Sequence, residues 1–160
     1  MIINDPIAFF ITVATYGTWL PGDSRGWIEY HKGWKLPDPI RELEAKAKMA
    51  EDAIRLSPEQ RNLVYTQLSE TCGFRNWLLH ESNCRSNHLH VVVTARGVRP
   101  KKVRMDLKAW CTRRLKESCD RQRENWWAER GSIRWIFDDD QLWSVIEYVR
   151  DAQDRMCSSS

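Results

Sequence analysis

His88-Leu89-His90 leads directly into Val91-Val92-Val93. A β-branched run of this kind favours a strand, and strand side chains alternate between two faces with period 2. The two imidazoles therefore share one face, while Leu89, Val91 and Val93 point to the other and can be buried, which sets the register. Two imidazoles aimed at one point can hold a divalent metal ion. A solvated strand face that carries two histidines is the plainer alternative, and the tripeptide alone leaves both open. The chain has four histidines in all. His80, expected on the neighbouring strand, and His31 are assigned no metal role.

The elements that must position this pair can be read along the chain. Residues 8–16 are rich in β-branched and aromatic types and predict a strand ending at Gly17. Pro21-Gly22-Asp23 and Arg25-Gly26 punctuate a loop over 17–26, and 27–40 looks irregular. Residues 41–55 have helix formers with a thin apolar stripe (Leu43, Ala47, Ala50, Ile54), which predicts an exposed or loosely docked helix. Ser57-Pro58-Glu59-Gln60 is a capping-box start for a helix ending near Cys72-Gly73. A strand over 75–84, a turn at Arg85-Ser86-Asn87 and the histidine strand make a hairpin. Pro100 opens a helix with Val103, Leu107, Trp110, Cys111 and Leu115 on one stripe. Residues 132–137 predict a short strand, and Asp138-Asp139-Asp140 caps a last helix carrying Leu142, Val145, Ile146 and Val149. The order β-α-β-β-α-β-α predicts an α+β fold. Its form is the ferredoxin-like split βαβ arrangement: an antiparallel sheet, helices on one face and an additional C-terminal helix. We expect a single domain over residues 1–157, with 17–56 inserted between the first strand and the first core helix and 158–160 as a frayed tail.

Charge is concentrated rather than large. The net charge is +3, yet Arg96 to Lys116 holds nine basic residues against one acid, Asp106, so the remainder is net negative. Such a stretch is the electrostatic footprint of a polyanionic partner. Arg99, Lys101, Lys102, Arg104, Lys108, Arg113 and Arg114 are the expected nucleic-acid-binding residues, acting mainly on phosphates. Nine tryptophans suit a core and its rim, with individual rings available for stacking on unpaired bases. Five cysteines without a C-x-x-C pair argue against a zinc ribbon or disulfide framework and for a reducing compartment. With no leader-like start and no apolar run of membrane-spanning length, the expected location is the cytoplasm.

Tyr148 sits in Val145-Ile146-Glu147-Tyr148-Val149, where a tyrosine is more commonly a packed core residue than a nucleophile. The order of motifs changes its meaning. Asn87-His88-Leu89-His90-Val91-Val92-Val93 resembles the histidine–hydrophobic–histidine (HUH) motif of the single-tyrosine transposases, most closely the REP-associated tyrosine transposase-like proteins. The resemblance extends to Tyr16-Gly17-Thr18-Trp19-Leu20-Pro21-Gly22-Asp23-Ser24-Arg25-Gly26, to Arg130-Gly131-Ser132-Ile133-Arg134 and to Tyr148, and it spans Phe9 to Gln153.

This resemblance implies a DNA strand-transfer nuclease acting on single-stranded or hairpin DNA. His88 and His90 would hold one divalent ion, Mg²⁺ or Mn²⁺, and Tyr148 would form a 5′-phosphotyrosine. Relatives carry a polar metal ligand one turn after the tyrosine. Ala152 stands there and cannot ligate, so Gln153 is the favoured third ligand, with Asp151 and Glu147 as neighbours. The resemblance leaves open whether Tyr148 serves its own chain or a partner in a homodimer. Whether Asp23 and Arg25 position DNA or merely close a turn is equally open. The alternative function is a domesticated DNA or RNA hairpin-binding module that does not cut. A small-molecule metal hydrolase ranks last, for want of further acidic or histidine ligands and of any use for the basic helix.

Overall fold

The alternation read in the histidine strand recurs in its neighbour, and together the two divide the molecule into layers. The computed structural model describes residues 5–29, 31–129 and 131–151. Strand β1 (Ala8–Ala14) is flanked by β5 (His88–Thr94) and β6 (Ser132–Ile136), and β4 (Leu78–Cys84) lies outside β5. All three pairings are antiparallel, in the order β4-β5-β1-β6. This is the ferredoxin-like sheet that the element order predicts.

Phe9, Ile11 and Val13 of β1 join Leu89, Val91 and Val93 of β5 on one face. There they pack against α2 (Pro58–Arg75) and α3 (Pro100–Ser118) through Val64, Leu68, Val103, Leu107, Cys111 and Leu115. Ala8, Val92 and Ile136 point the other way and are covered by Val145, Ile146 and Val149 of α4 (Asp139–Asp151). The last helix is thus alone on its side. Its Val145, Ile146 and Val149 recur at helical spacing, which gives one apolar stripe and one sheet face to cover.

Local signals account for most boundaries. Ser57 and Gln60 form the reciprocal capping box of α2, and Asp138 accepts from the Gln141 backbone N–H at 2.8 Å to start α4. Helix α2 runs past the expected stop at Gly73 and ends only where Asn76 adopts a left-handed conformation; β4 accordingly starts at Leu78 rather than at 75. Strand β1 ends at Ala14, two residues before Tyr16, because Thr15 turns to an isolated bridge with Trp127.

The insertion is more ordered at its start than the sequence suggests. Two short strands, β2 (Trp27–Glu29) and β3 (Gly33–Lys35), pair antiparallel in it. Helix α1 (Pro39–Ala47) begins early on an Asp38 cap and buries no residue, as its thin stripe predicts. It stops short of residue 55 because the chain beyond it serves contacts of its own. The Glu51 carboxylate accepts from the Asn125 backbone N–H at 2.6 Å, and Ile54 N–H donates to the Tyr16 carbonyl. The tail 158–160 lies outside the described residues. Among the described residues no helix is long and apolar enough to cross a membrane.

Candidate functional site

Strand β5 brings His88 and His90 onto the face that α4 covers, with ring centroids 4.6 Å apart. Each Nδ1 meets an oxygen. His88 Nδ1 lies 2.7 Å from Asn87 Oδ1, an atom that only accepts, so Nδ1 is the donor in this contact. His90 Nδ1 lies 2.8 Å from Thr12 Oγ1, its register partner across the sheet. When a histidine donates from one nitrogen to an oxygen, its tautomer and ring plane are set and the other nitrogen is made a better ligand. The donor set therefore suits a divalent ion.

Helix α4 brings Tyr148 to the same place. Its ring makes edge contacts with His90 (6.2 Å, 63°) and with Phe10 (6.1 Å, 70°), all within one chain. Val145, Ile146 and Val149 take the buried positions, and Tyr148 is left 59% exposed on the flank of the helix. Its hydroxyl makes no hydrogen bond among the described residues, so the buried, hydrogen-bonded tyrosine of the plainer expectation is not what the fold produces. Asn83, register partner of His90, donates through Nδ2 to the Val149 carbonyl at 2.8 Å. That bond ties the tyrosine helix to the sheet one strand from the histidines.

No three His, Cys, Asp or Glu side chains are grouped to share a metal among the described residues. Glu147 and Asp151 do not complete the histidine pair, and Gln153 and Ala152 lie outside the described residues. His80 is engaged elsewhere: its Nε2 meets Thr94 Oγ1 at 2.6 Å, and burial lowers its pKa. Cysteine offers no rival nucleophile in the core. Burial pushes the Cys72 thiol up to about 11 and the Cys84 thiol up to about 12, and raises Cys111 as well.

The loop after β1 proves to be a buttress for the histidine strand. Arg25 grips Asp23 through Nε and Nη2, both at 2.8 Å, donates to the Thr18 carbonyl at 2.7 Å, and stacks over Trp19 at 4.3 Å. The hydroxyls of Thr15 and Thr18 both donate to the carbonyl of Asn87, the residue whose side chain holds His88. Asp23 and Arg25 are thus consumed in closing the loop. The Arg25 guanidinium holds the Asp23 carboxyl below its ordinary range, against the opposing effect of burial. A depressed folded pKa stabilises the fold above the unfolded pKa, and that contribution is lost as pH falls through the folded value. The melting temperature of the wild type should therefore exceed that of Asp23→Asn at pH 6, with the gap narrowing below about pH 4. A gap independent of pH in thermal melts would remove the ion pair from the account.

The basic helix lies on the opposite side of the sheet from the histidines, not beside them. Val103, Leu107, Cys111 and Leu115 of its expected stripe are buried against β1 and β5, while Trp110 falls outside it and stays exposed, and a helix can cover only one face. Several of its cations have partners of their own. Arg114 donates to Gln67 Oε1 at 2.7 Å and pairs with Glu70. Arg113 pairs with Glu117 and Lys102 with Asp106. Arg104 donates to the Gly131 carbonyl at 2.9 Å, and Lys108 to those of Ala128 and Glu129 at 2.7 and 3.1 Å. Burial, then Arg104, lowers the Lys108 pKa. Arg99 and Lys101 are exposed and make no ion pair among the described residues.

One cation missed in the sequence belongs to the histidine face. Arg134 is the register partner of Phe10 and lines, with Tyr148, Ser144, Gln141 and Asp140, a groove of about 560 Å³ between β6 and α4. The alternation of β6 carried the signal, but only its pairing with β1 says which face is which. A Cβ on Gly131 would run into the Thr12 carbonyl, so glycine is what lets β6 close against β1 beside the Thr12–His90 bond.

Fold and site together define an α+β protein with a histidine–hydrophobic–histidine strand inside an antiparallel sheet and a tyrosine-bearing helix over it. No family model matches the sequence, and no curated protein matches it. Solved structures do. A REP-associated tyrosine transposase bound to a REP hairpin aligns with a TM-score of 0.54 at 12% identity, covering 93% of this chain and 67% of that one. A Deinococcus radiodurans R1 protein described as a candidate transposase aligns with a TM-score of 0.51 at 10% identity, covering 94% and 92%. At these identities the likeness is one of fold.

Proposed function

We propose that the protein is a divalent-metal-dependent, cytoplasmic single-strand DNA nuclease and strand transferase. It acts on hairpin-bearing DNA as the single-tyrosine HUH transposases do. The observation that carries this reading is the meeting, within one chain, of an exposed tyrosine and two histidines whose Nδ1 atoms are both held by oxygen. The shared fold with a transposase bound to a hairpin supports it.

In this reading Tyr148 Oη attacks the scissile phosphorus. A phosphorus–oxygen bond to the tyrosine forms, the bond to the 3′ oxygen breaks, and the departing strand ends in a 3′-OH that takes up a proton. The 5′-phosphotyrosine keeps the phosphodiester linkage in covalent form, so the reverse attack by another 3′-OH rejoins strands without a further energy source. A metal ion on His88 and His90 would supply Lewis-acid withdrawal of charge from the phosphoryl oxygens. Gln153 is the third ligand we assign to it. Asn87 accepts from His88 Nδ1 and Thr12 fixes the His90 ring, and Asn83 holds the helix that delivers the nucleophile. Because one chain supplies both histidines and the tyrosine, a homodimer is not needed to complete the pair.

The test is incubation of labelled hairpin oligonucleotides with Mg²⁺ or Mn²⁺, resolved on a denaturing gel. A protease-sensitive protein–DNA adduct that disappears with chelator is the expected product. Hairpin binding without any adduct, across hairpins and the flanks of the protein's own gene, would replace this reading with a non-cutting hairpin-binding module.

A further inference from the structure

The tyrosine and histidines lie on one face of the sheet and the basic helix on the other, so a polyanion that uses both must cross an edge. Of the two edge strands, β4 and β6, β6 is the one beside the Tyr148 groove. Its alternation serves the two faces. Arg134 lies in the groove with Tyr148, whereas Trp135, register partner of Phe9, turns to the face that carries α3 and meets the Phe9 ring edge-on at 5.7 Å.

Trp135 is 50% exposed and Phe137 38%, and their rings stack at 6.4 Å and 27°. A tryptophan gains most from burial, so two stacked aromatics left open at a sheet edge form a surface that suits a planar ligand. Cations run beside it. Lys101, Arg104 and Lys108 share one side of α3 by helical spacing. Lys108 reaches Ala128 and Glu129, and Arg104 reaches Gly131. The helix and the chain entering β6 therefore run antiparallel, so one further turn of α3 carries Lys101 in the direction of β6.

We propose that an unpaired DNA strand crosses the open edge of β6. One part lies in the Arg134 groove by Tyr148, and its bases stack on Trp135 and Phe137 as its phosphates reach Lys101. Stacking on exposed rings beside cations is how single strands are held, and it requires bases that are not already paired in a duplex. The inference rests on the reading of the protein as a single-strand DNA transferase, and it adds the path of the unpaired flank.

Binding is measured by fluorescence anisotropy in chelator, where no cutting occurs. The probes are a hairpin with a single-stranded thymidine flank and the same hairpin with that flank paired into duplex. Wild type is expected to prefer the unpaired flank. Trp135→Ala with Phe137→Ala should weaken the flanked hairpin by about tenfold or more and leave the paired one within about twofold. Lys101→Glu, an exposed change that removes no ion pair, should weaken the flanked hairpin selectively and covers the case in which the aromatic variant folds poorly. Equal loss on both probes, no loss in either variant, or a wild type that does not prefer the flank would each overturn the path. The strand-transfer reading stands or falls separately on the adduct assay: a flank preference that depends on Trp135 and Lys101 in a protein forming no adduct would sustain the path and reject transfer.

Discussion

Tyr148→Phe is expected to abolish covalent capture of DNA completely while leaving the fold and hairpin binding intact. The phenylalanine keeps the ring that packs edge-on against Phe10 and His90 and deletes the one atom able to attack phosphorus. Because the hydroxyl has no hydrogen-bond partner among the described residues and the side chain is largely exposed, stability should change by less than about 0.5 kcal/mol. Thermal melts and anisotropy establish that the variant is folded and binds; the denaturing gel then reads the adduct. An adduct that persisted in Tyr148→Phe would assign the nucleophile to another residue. Loss of binding along with the adduct would make Tyr148 a contact for DNA rather than its attacker.

Removal of the histidines should stop cleavage by a different route. Metal stabilisation of a phosphoryl transition state contributes several kcal/mol, so His88→Ala with His90→Ala should lower the cleavage rate by about a thousandfold or more. The single variants keep one imidazole, and excess Mn²⁺ should restore part of their activity, whereas no metal concentration should restore Tyr148→Phe. His90 is the more buried of the pair and lies against Phe10 as well as Thr12, so His90→Ala should also lower the melting temperature, by more than His88→Ala does. Cleavage by the double variant at the wild-type rate would remove these residues from the chemistry. Isothermal titration with Mn²⁺ separates lost metal binding from lost catalysis.

The two results together distinguish the proposed enzyme from a domesticated binder. Such a protein could keep the fold and the basic surface while showing no dependence on metal or on the tyrosine hydroxyl. The buttressing loop gives a further contrast. Its Asp23–Arg25 pair and its threonine bonds to Asn87 act on His88 only through the backbone and side chain of Asn87, so Asp23→Asn should affect stability more than hairpin binding.

The features legible in the sequence were those that depend on neighbours along the chain. Period-2 alternation put His88 and His90 on one face and Leu89, Val91 and Val93 on the other, whatever lay beyond them. Capping chemistry placed the starts of α2 and α4, and the order of elements admitted few sheet topologies. Tertiary structure alone decided which layer covers which face. The bond between Thr12 and His90 joins residues 78 positions apart, and no local signal could say that the basic helix would pack on the reverse of the histidine face. Nor could charge counting show that Arg114 would find Glu70 on another helix, 44 positions away, or that Arg134 would stand in the groove beside Tyr148. Local propensities reach a few residues and fix periodicity; contacts between distant segments are settled only when the apolar stripes compete for the two faces of one sheet.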